Sequence, residues 1–321
     1  MTATLVLTTL AVLTGTGVAV VAVDSGTVTS FLPLEGSGLA VMAAPDGSLL
    51  VPMAASDDTV RWKPGGPPER ITGRLFPLFH DEADRMVVAL PGRVVVLSYP
   101  ERLELRGMNL PVREVWRAAL TRDGQFLVLL AGPEGRELFM LDLPGSQLLG
   151  RMTVAQGCRA LTMEPQGTWL ALGCADGGVH VVRGGVPGAR PIQVAGAVTA
   201  LAASEDGRFL AIGTREDDGT GTVMVLRMPE REGAPRQVAR QALTGGVTAL
   251  AVSGDQIFAA TEYGLSVLAR RRLRVQAVVE LAGVRELAVM PASGKSLVPS
   301  WSDGAPEAPP VPQQRLDFPP G

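Results

Sequence analysis

The side chains best suited to chemistry in this sequence are few and scattered. Histidine occurs twice, at His80 and His180, and cysteine twice, at Cys158 and Cys174. His80 stands beside Asp81, a pairing in which a carboxylate can orient an imidazole for general-base work. No Ser or Cys nucleophile motif flanks either histidine, and His180 sits among valines in an extended stretch. A zinc centre of His and Cys would need all four residues together. Gly294-Lys295-Ser296 has the ending of a phosphate-binding loop, but Val289 occupies the place of the loop's first glycine and no helical pattern follows. Glu216-Asp217-Asp218 lacks the alternating oxygen-ligand spacing of a calcium loop. These patterns assign no catalytic residue, no cofactor and no metal.

Two clusters remain. If Glu164 and Thr168 close a hairpin around Pro165-Gln166-Gly167, Cys158 falls opposite Cys174. Counting from that closing pair puts the cysteines at a hydrogen-bonded site, where side chains diverge more than at the alternate sites. Two reduced, buried thiols are therefore expected rather than a cross-strand disulfide. The densest basic cluster is Arg270-Arg271-Arg272 with Arg274. It is the candidate partner-binding patch, set against the plainer reading of a solvated turn. No aromatic residue is interleaved with it, and a net charge of −3 gives no global basic field, so a nucleic-acid partner is not expected.

The elements that must position these residues follow from a repeat. An apolar run, a Pro/Asp/Gly turn and a second apolar run recur as Leu39-AVMAAPDGSLLVP-Met53, Val115-WRAALTRDGQFLVLL-Ala131, Cys158-RALTMEPQGTWLALG-Cys174 and Val198-TALAASEDGRFLAIG-Thr214. Val247-TALAVSGDQIFAA-Thr261 and Val284-RELAVMPASGKSLVP-Ser300 are further copies, and Phe76-PLFHDEADRMVVAL-Pro91 fits without the glycine. The spacing is roughly 36 to 48 residues, the period of propeller blades. Asp-Gly or Gln-Gly closes the first four of these hairpins with a residue at positive φ. A third strand follows, as in Arg93-VVVLS-Tyr99 and Glu137-LFMLD-Leu143, and then a more polar fourth. The continuous apolar runs suit strands covered on both faces. The fold expected is all-β: a single propeller of seven four-stranded blades.

The last hairpin has no third and fourth strands after it, whereas Val18–Val23 and Thr27–Pro33 look like an orphaned pair. Joining the chain's two ends in one blade closes the ring, with residues 1–35 and 284–300 sharing it and residues 3–13 pairing there or replacing its second strand. The propeller then spans 1–300 and a Pro-rich tail 301–321. Met1–Val23 carries no charge, so a membrane or export segment is the alternative to strands. Its Val/Thr content and the Thr14-Gly15-Thr16-Gly17 interruption favour strands.

Leu49-LVPMAASDDTVRW-Lys63 and Trp169-LALGCADGGVHVV-Arg183 resemble the second and third strands of a WD-repeat, with Asp176, and Asp218 before Gly219, at the tight-turn aspartate position. Arg136-ELFMLDL-Pro144 is similar to the YVTN type of propeller. The resemblance implies broad loop-lined faces that hold other proteins. The expected role is a non-enzymatic, cytoplasmic scaffold subunit of a larger bacterial assembly, with unidentified protein subunits as partners. The alternatives are a subunit of a redox or hydrolytic enzyme complex and a small-ligand-binding propeller. Aromatic residues at 4% argue against the last.

Overall fold

The computed structural model describes residues 9–56, 58–72, 77–79, 85–90, 92–111, 114–155, 157–188, 190–230 and 233–290. His80, Asp81, Gly294-Lys295-Ser296 and the Pro-rich tail lie outside them.

Seven antiparallel sheets form a β-propeller. From the inner strand outward, blade one is Met42–Ala43, Leu49–Pro52, Asp58–Trp62 and Glu69–Thr72; blade two is Pro77–Phe79, Arg85–Leu90, Arg93–Ser98 and Glu104–Asn109. Blade three is Val115–Leu120, Phe126–Ala131, Glu137–Asp142 and Gln147–Thr153. Blade four is Cys158–Met163, Trp169–Cys174 and Gly178–Arg183, with its outer strand split into Val186–Pro187 and Ile192–Gln193. Blade five is Ala197–Ala203, Phe209–Arg215, Gly221–Arg227 and Arg236–Leu243; blade six is Val247–Ser253, Gln256–Thr261, Gly264–Ala269 and Arg274–Glu280.

The core lies between the blades. Side chains alternate across a strand, so Leu127 and Leu129 pack toward blade two while Val128 and Leu130 pack toward blade four. Each is at most 3% exposed, which is why this strand reads as an unbroken apolar run instead of an alternating one. Such a cluster fills each of the seven blade junctions, including the two that flank the blade built from the chain ends. The hairpin turns depend on glycine where φ is positive, as at Gly124 (φ 69°) and Gly207 (φ 66°).

Blade seven joins the two ends of the described chain. Glu286–Val289 is its inner strand, followed outward by Thr9–Leu13, Gly17–Ala22 and Thr27–Pro33. Thr9–Leu13 thus takes the second-strand place, with Leu10 opposite Val289 and Leu13 opposite Glu286. Leu10 and Val12 face blade six, Ala11 and Leu13 face blade one, and all four are fully buried. Two covered faces leave no position for a charge, which accounts for its absence from Leu10 to Leu13. Among the described residues, no helix is long and apolar enough to cross a membrane.

Candidate functional site

Chemistry in a propeller is set by what the inner strands and the loops at either end of the ring present. Four consecutive inner strands carry a β-bulge at one shared place, where the register shifts past Trp116, Arg159, Thr199 and Thr248. A bulge leaves one residue unpaired and re-aims its side chain. Here the bulged residues reach toward a neighbouring inner strand. The Arg159 guanidinium lies 5.2 Å from the centroid of the Trp116 ring. Thr199 Oγ1 donates to the Val247 carbonyl at 2.5 Å, and Thr248 Oγ1 to the Val284 carbonyl at 3.0 Å. The two hydroxyls are thereby committed to tying blades together.

Arg117, Arg159 and Glu286 are the charged residues of the inner strands among the described residues, and all three lie toward this end of the ring. Burial pushes the Glu286 carboxyl above its ordinary value, although Arg117 opposes the shift. Arg117 and Arg159 are exposed and Trp116 is half-buried, its Nε1 donating to the Gly132 carbonyl at 3.1 Å. Tyr263, in the turn between the second and third strands of blade six, stands 63% exposed at the same end. Arg159 on Trp116 is the guanidinium–aromatic contact described at this end, and no nucleophile–base pair accompanies it among the described residues.

At the opposite end, polar turn residues bolt blade to blade. Ser48 Oγ donates to Asp46 Oδ1 at 2.6 Å, Arg61 Nη2 donates to Asp46 Oδ2 at 2.8 Å, and Tyr99 Oη of the next blade donates to Asp46 Oδ1 at 3.1 Å. Burial alone would raise the Asp46 carboxyl, but bonds from Ser48, Arg61 and Tyr99 hold it below the ordinary aspartate value. Trp169 Nε1 donates to the Gly207 carbonyl at 3.1 Å across the junction between blades four and five.

The basic cluster divides. Arg270 is not a free cation: its side chain is 13% exposed, pairs with Asp255 at 3.0 Å and Asp206 at 3.9 Å, and stacks on Phe209. It belongs to the latch between blades five and six. Arg271, Arg272 and Arg274 remain exposed around the buried Leu273. Glu216-Asp217-Asp218 is a turn, in which Asp218 Oδ1 accepts the Thr220 N–H at 2.9 Å.

The cysteines overturn an expectation. Cys158 and Cys174 are opposite each other as the sequence register requires, but they are joined by a disulfide rather than standing as two thiols. The reason is the Arg159 bulge, which shifts the ladder by one residue. Glu164 N–H donates to the Trp169 carbonyl, so the hairpin closes one residue later than the sequence suggested. The bulge then restores the cysteine pairing but reverses its parity. Ala175 N–H donates to the Gly157 carbonyl and the Cys174 carbonyl accepts from Gly177, which puts the pair at a non-hydrogen-bonded site with Cα atoms 3.7 Å apart. His180 joins them: its ligand nitrogen and both sulfurs lie within 4.8 Å of one another.

Sequence reasoning missed Trp116, Arg117, Arg159 and Glu286. The available signal was a residue unlike its apolar neighbours at the second or third place of each inner run, and the bulge that gives it meaning is not visible in one strand alone.

No family model matches the chain, and no curated protein does. Solved structures share the fold. A chain of Kuenenia stuttgartiensis hydrazine synthase superposes with a TM-score of 0.66 at 16% identity, over 79% of this chain and 90% of that one. A chain from the mitotic checkpoint complex gives 0.64 at 16%, over 78% and 80%. A functionally unknown protein of Desulfotomaculum acetoxidans gives 0.66 at 13%, over 88% and 98%.

Proposed function

We propose that this protein is a non-enzymatic interaction subunit of a larger bacterial assembly, acting in the cytoplasm and docking through the ring end that carries Trp116, Arg117, Arg159 and Tyr263. The observation that carries this reading is the Arg159 guanidinium stacked on Trp116, with Arg117 and Tyr263 exposed at the same end of the ring. At the opposite end, Asp46 and Arg270 are engaged in blade-to-blade contacts with Tyr99, Asp206 and Phe209. Trp, Tyr and Arg are the residue types that dominate binding energy at protein interfaces. The fold's occurrence in the mitotic checkpoint complex is in keeping with such a role. Arg271, Arg272 and Arg274 form a second, purely basic patch on the other end and a secondary contact for an acidic surface.

The finer family reading, a degenerate WD-repeat-like propeller, draws support from its turn aspartates. Asp176 Oδ1 accepts the Gly178 N–H and Asp218 Oδ1 the Thr220 N–H, each at 2.9 Å.

The test is affinity purification of the tagged protein from its native organism, with identification of what co-elutes. Wild type is compared with a W116A/R159E variant and an R271A/R272A/R274A variant. A defined partner retained by wild type and lost from W116A/R159E is expected. Loss with the triple-arginine variant alone would move docking to the opposite end. A lone monodisperse monomer would overturn the interaction role.

A further inference from the structure

Blade four gathers soft and borderline metal donors on one face. Cys158 is opposite Cys174, and His180 is opposite Leu172, two residues from Cys174 on the same strand. Alternation therefore puts both sulfurs and the imidazole on one side of the sheet. Both cysteines are completely buried and His180 is half-buried. Beside them the backbone passes close to polar side chains at Gly178. A Cβ there would stand 3.0 Å from Asp176 Oδ1, 3.5 Å from His180 Nε2 and 3.5 Å from Gln193 Oε1. Asp176 spends Oδ1 on the Gly178 N–H, is itself exposed, and is not among the donors that lie mutually within 4.8 Å.

We infer that, once the Cys158–Cys174 disulfide is reduced, Cys158, Cys174 and His180 hold a zinc(II) ion as its three protein ligands. Two thiolates and one imidazole are a donor set suited to tetrahedral zinc, with water in the fourth place. The disulfide and the metal are mutually exclusive states of the same two sulfurs, which makes the site redox-gated. The step balances with a thiol reductant: two molecules of a low-molecular-weight thiol break the S–S bond, give two cysteine thiols and leave as their own disulfide. Zinc then displaces the two thiol protons to solvent. In a reducing compartment the thiol pool drives the first half of this sequence.

The test uses the full chain, reduced anaerobically with a phosphine that is then removed, and titrated with cobalt(II) as the spectroscopic probe. One equivalent should produce a thiolate-to-cobalt charge-transfer band and tetrahedral d–d absorption, and zinc(II) should bleach both. The oxidised protein should show neither. H180A should weaken binding by at least about 10-fold, as loss of a metal-supporting group does, whereas D176N should leave the d–d envelope unchanged. Far-ultraviolet circular dichroism follows the reduced protein and each variant. A reduced, folded protein that yields no charge-transfer band overturns the site. So does an H180A spectrum and affinity equal to wild type, or a blade that unfolds on reduction.

Discussion

The Arg270 guanidinium carbon lies 4.6 Å from the centroid of the Phe209 ring, so that a cation from blade six is stacked on an aromatic side chain of blade five. Desolvated contacts of this kind contribute up to about 2 kcal/mol. R270A should therefore cost roughly 1–3 kcal/mol in chemical denaturation, whereas R271A and R272A should each fall within about 0.5 kcal/mol of wild type. R270K should not restore the loss, because an ammonium lacks the planar stacking face. Equal effects at positions 270 and 271 would refute the latch.

Closure of the ring rests on Thr9–Leu13, which is buried on both faces between the strand from the other chain end and the third strand of the blade. V12D places an unpaired charge where relative exposure is zero, and more than about 4 kcal/mol should be lost. V28D, on the outer strand at 44% exposure, should be close to neutral. Thermal unfolding of the two variants distinguishes a closing strand from a dispensable appendage.

Two carboxyls respond to acid with opposite sign. Asp46 is held below its ordinary value of 3.8, so its contribution is complete above that value and fades as pH falls through the lower folded one. Glu286 is raised above 4.5, so the folded state favours its protonated form and stability declines as pH rises from 4.5 through the raised value. D46N should flatten the acid limb of the stability curve. E286Q should raise stability at neutral pH and remove the decline above pH 4.5. Denaturation midpoints measured across that range test both, and an E286Q variant less stable than wild type at pH 7 would contradict the burial of the charge.

The disulfide spans a separation of 16 residues, and loop-closure entropy assigns such a crosslink about 3 kcal/mol. Alkylation should label no cysteine in the oxidised, denatured protein and both after reduction, with a parallel fall in the denaturation midpoint. Two labels without reductant would show free thiols.

Much of the architecture was legible in the sequence because its causes are local. Asp123-Gly124 and Asp206-Gly207 fix turns through the conformational freedom of one glycine, and the period of the apolar runs fixes which strands are covered on both sides. Strands such as Arg93–Ser98 and Glu137–Asp142 therefore emerge nearly to the residue. The pairing of the chain ends in one blade was legible as well, since an unfinished hairpin and two orphaned strands complete each other.

What only the tertiary structure decided is parity and company. A bulge at Arg159 adds one residue to a ladder, and one residue is enough to move Cys158 and Cys174 from diverging to adjoining positions. Arg270 is indistinguishable from Arg271 in the chain, yet one is buried on Phe209 and the other is solvated, because the neighbouring blade supplies the ring. Side chains alternate with a period of two, so the sequence determines how a strand is covered; where a ladder slips, and what stands across the gap, depends on contacts between residues tens of positions apart.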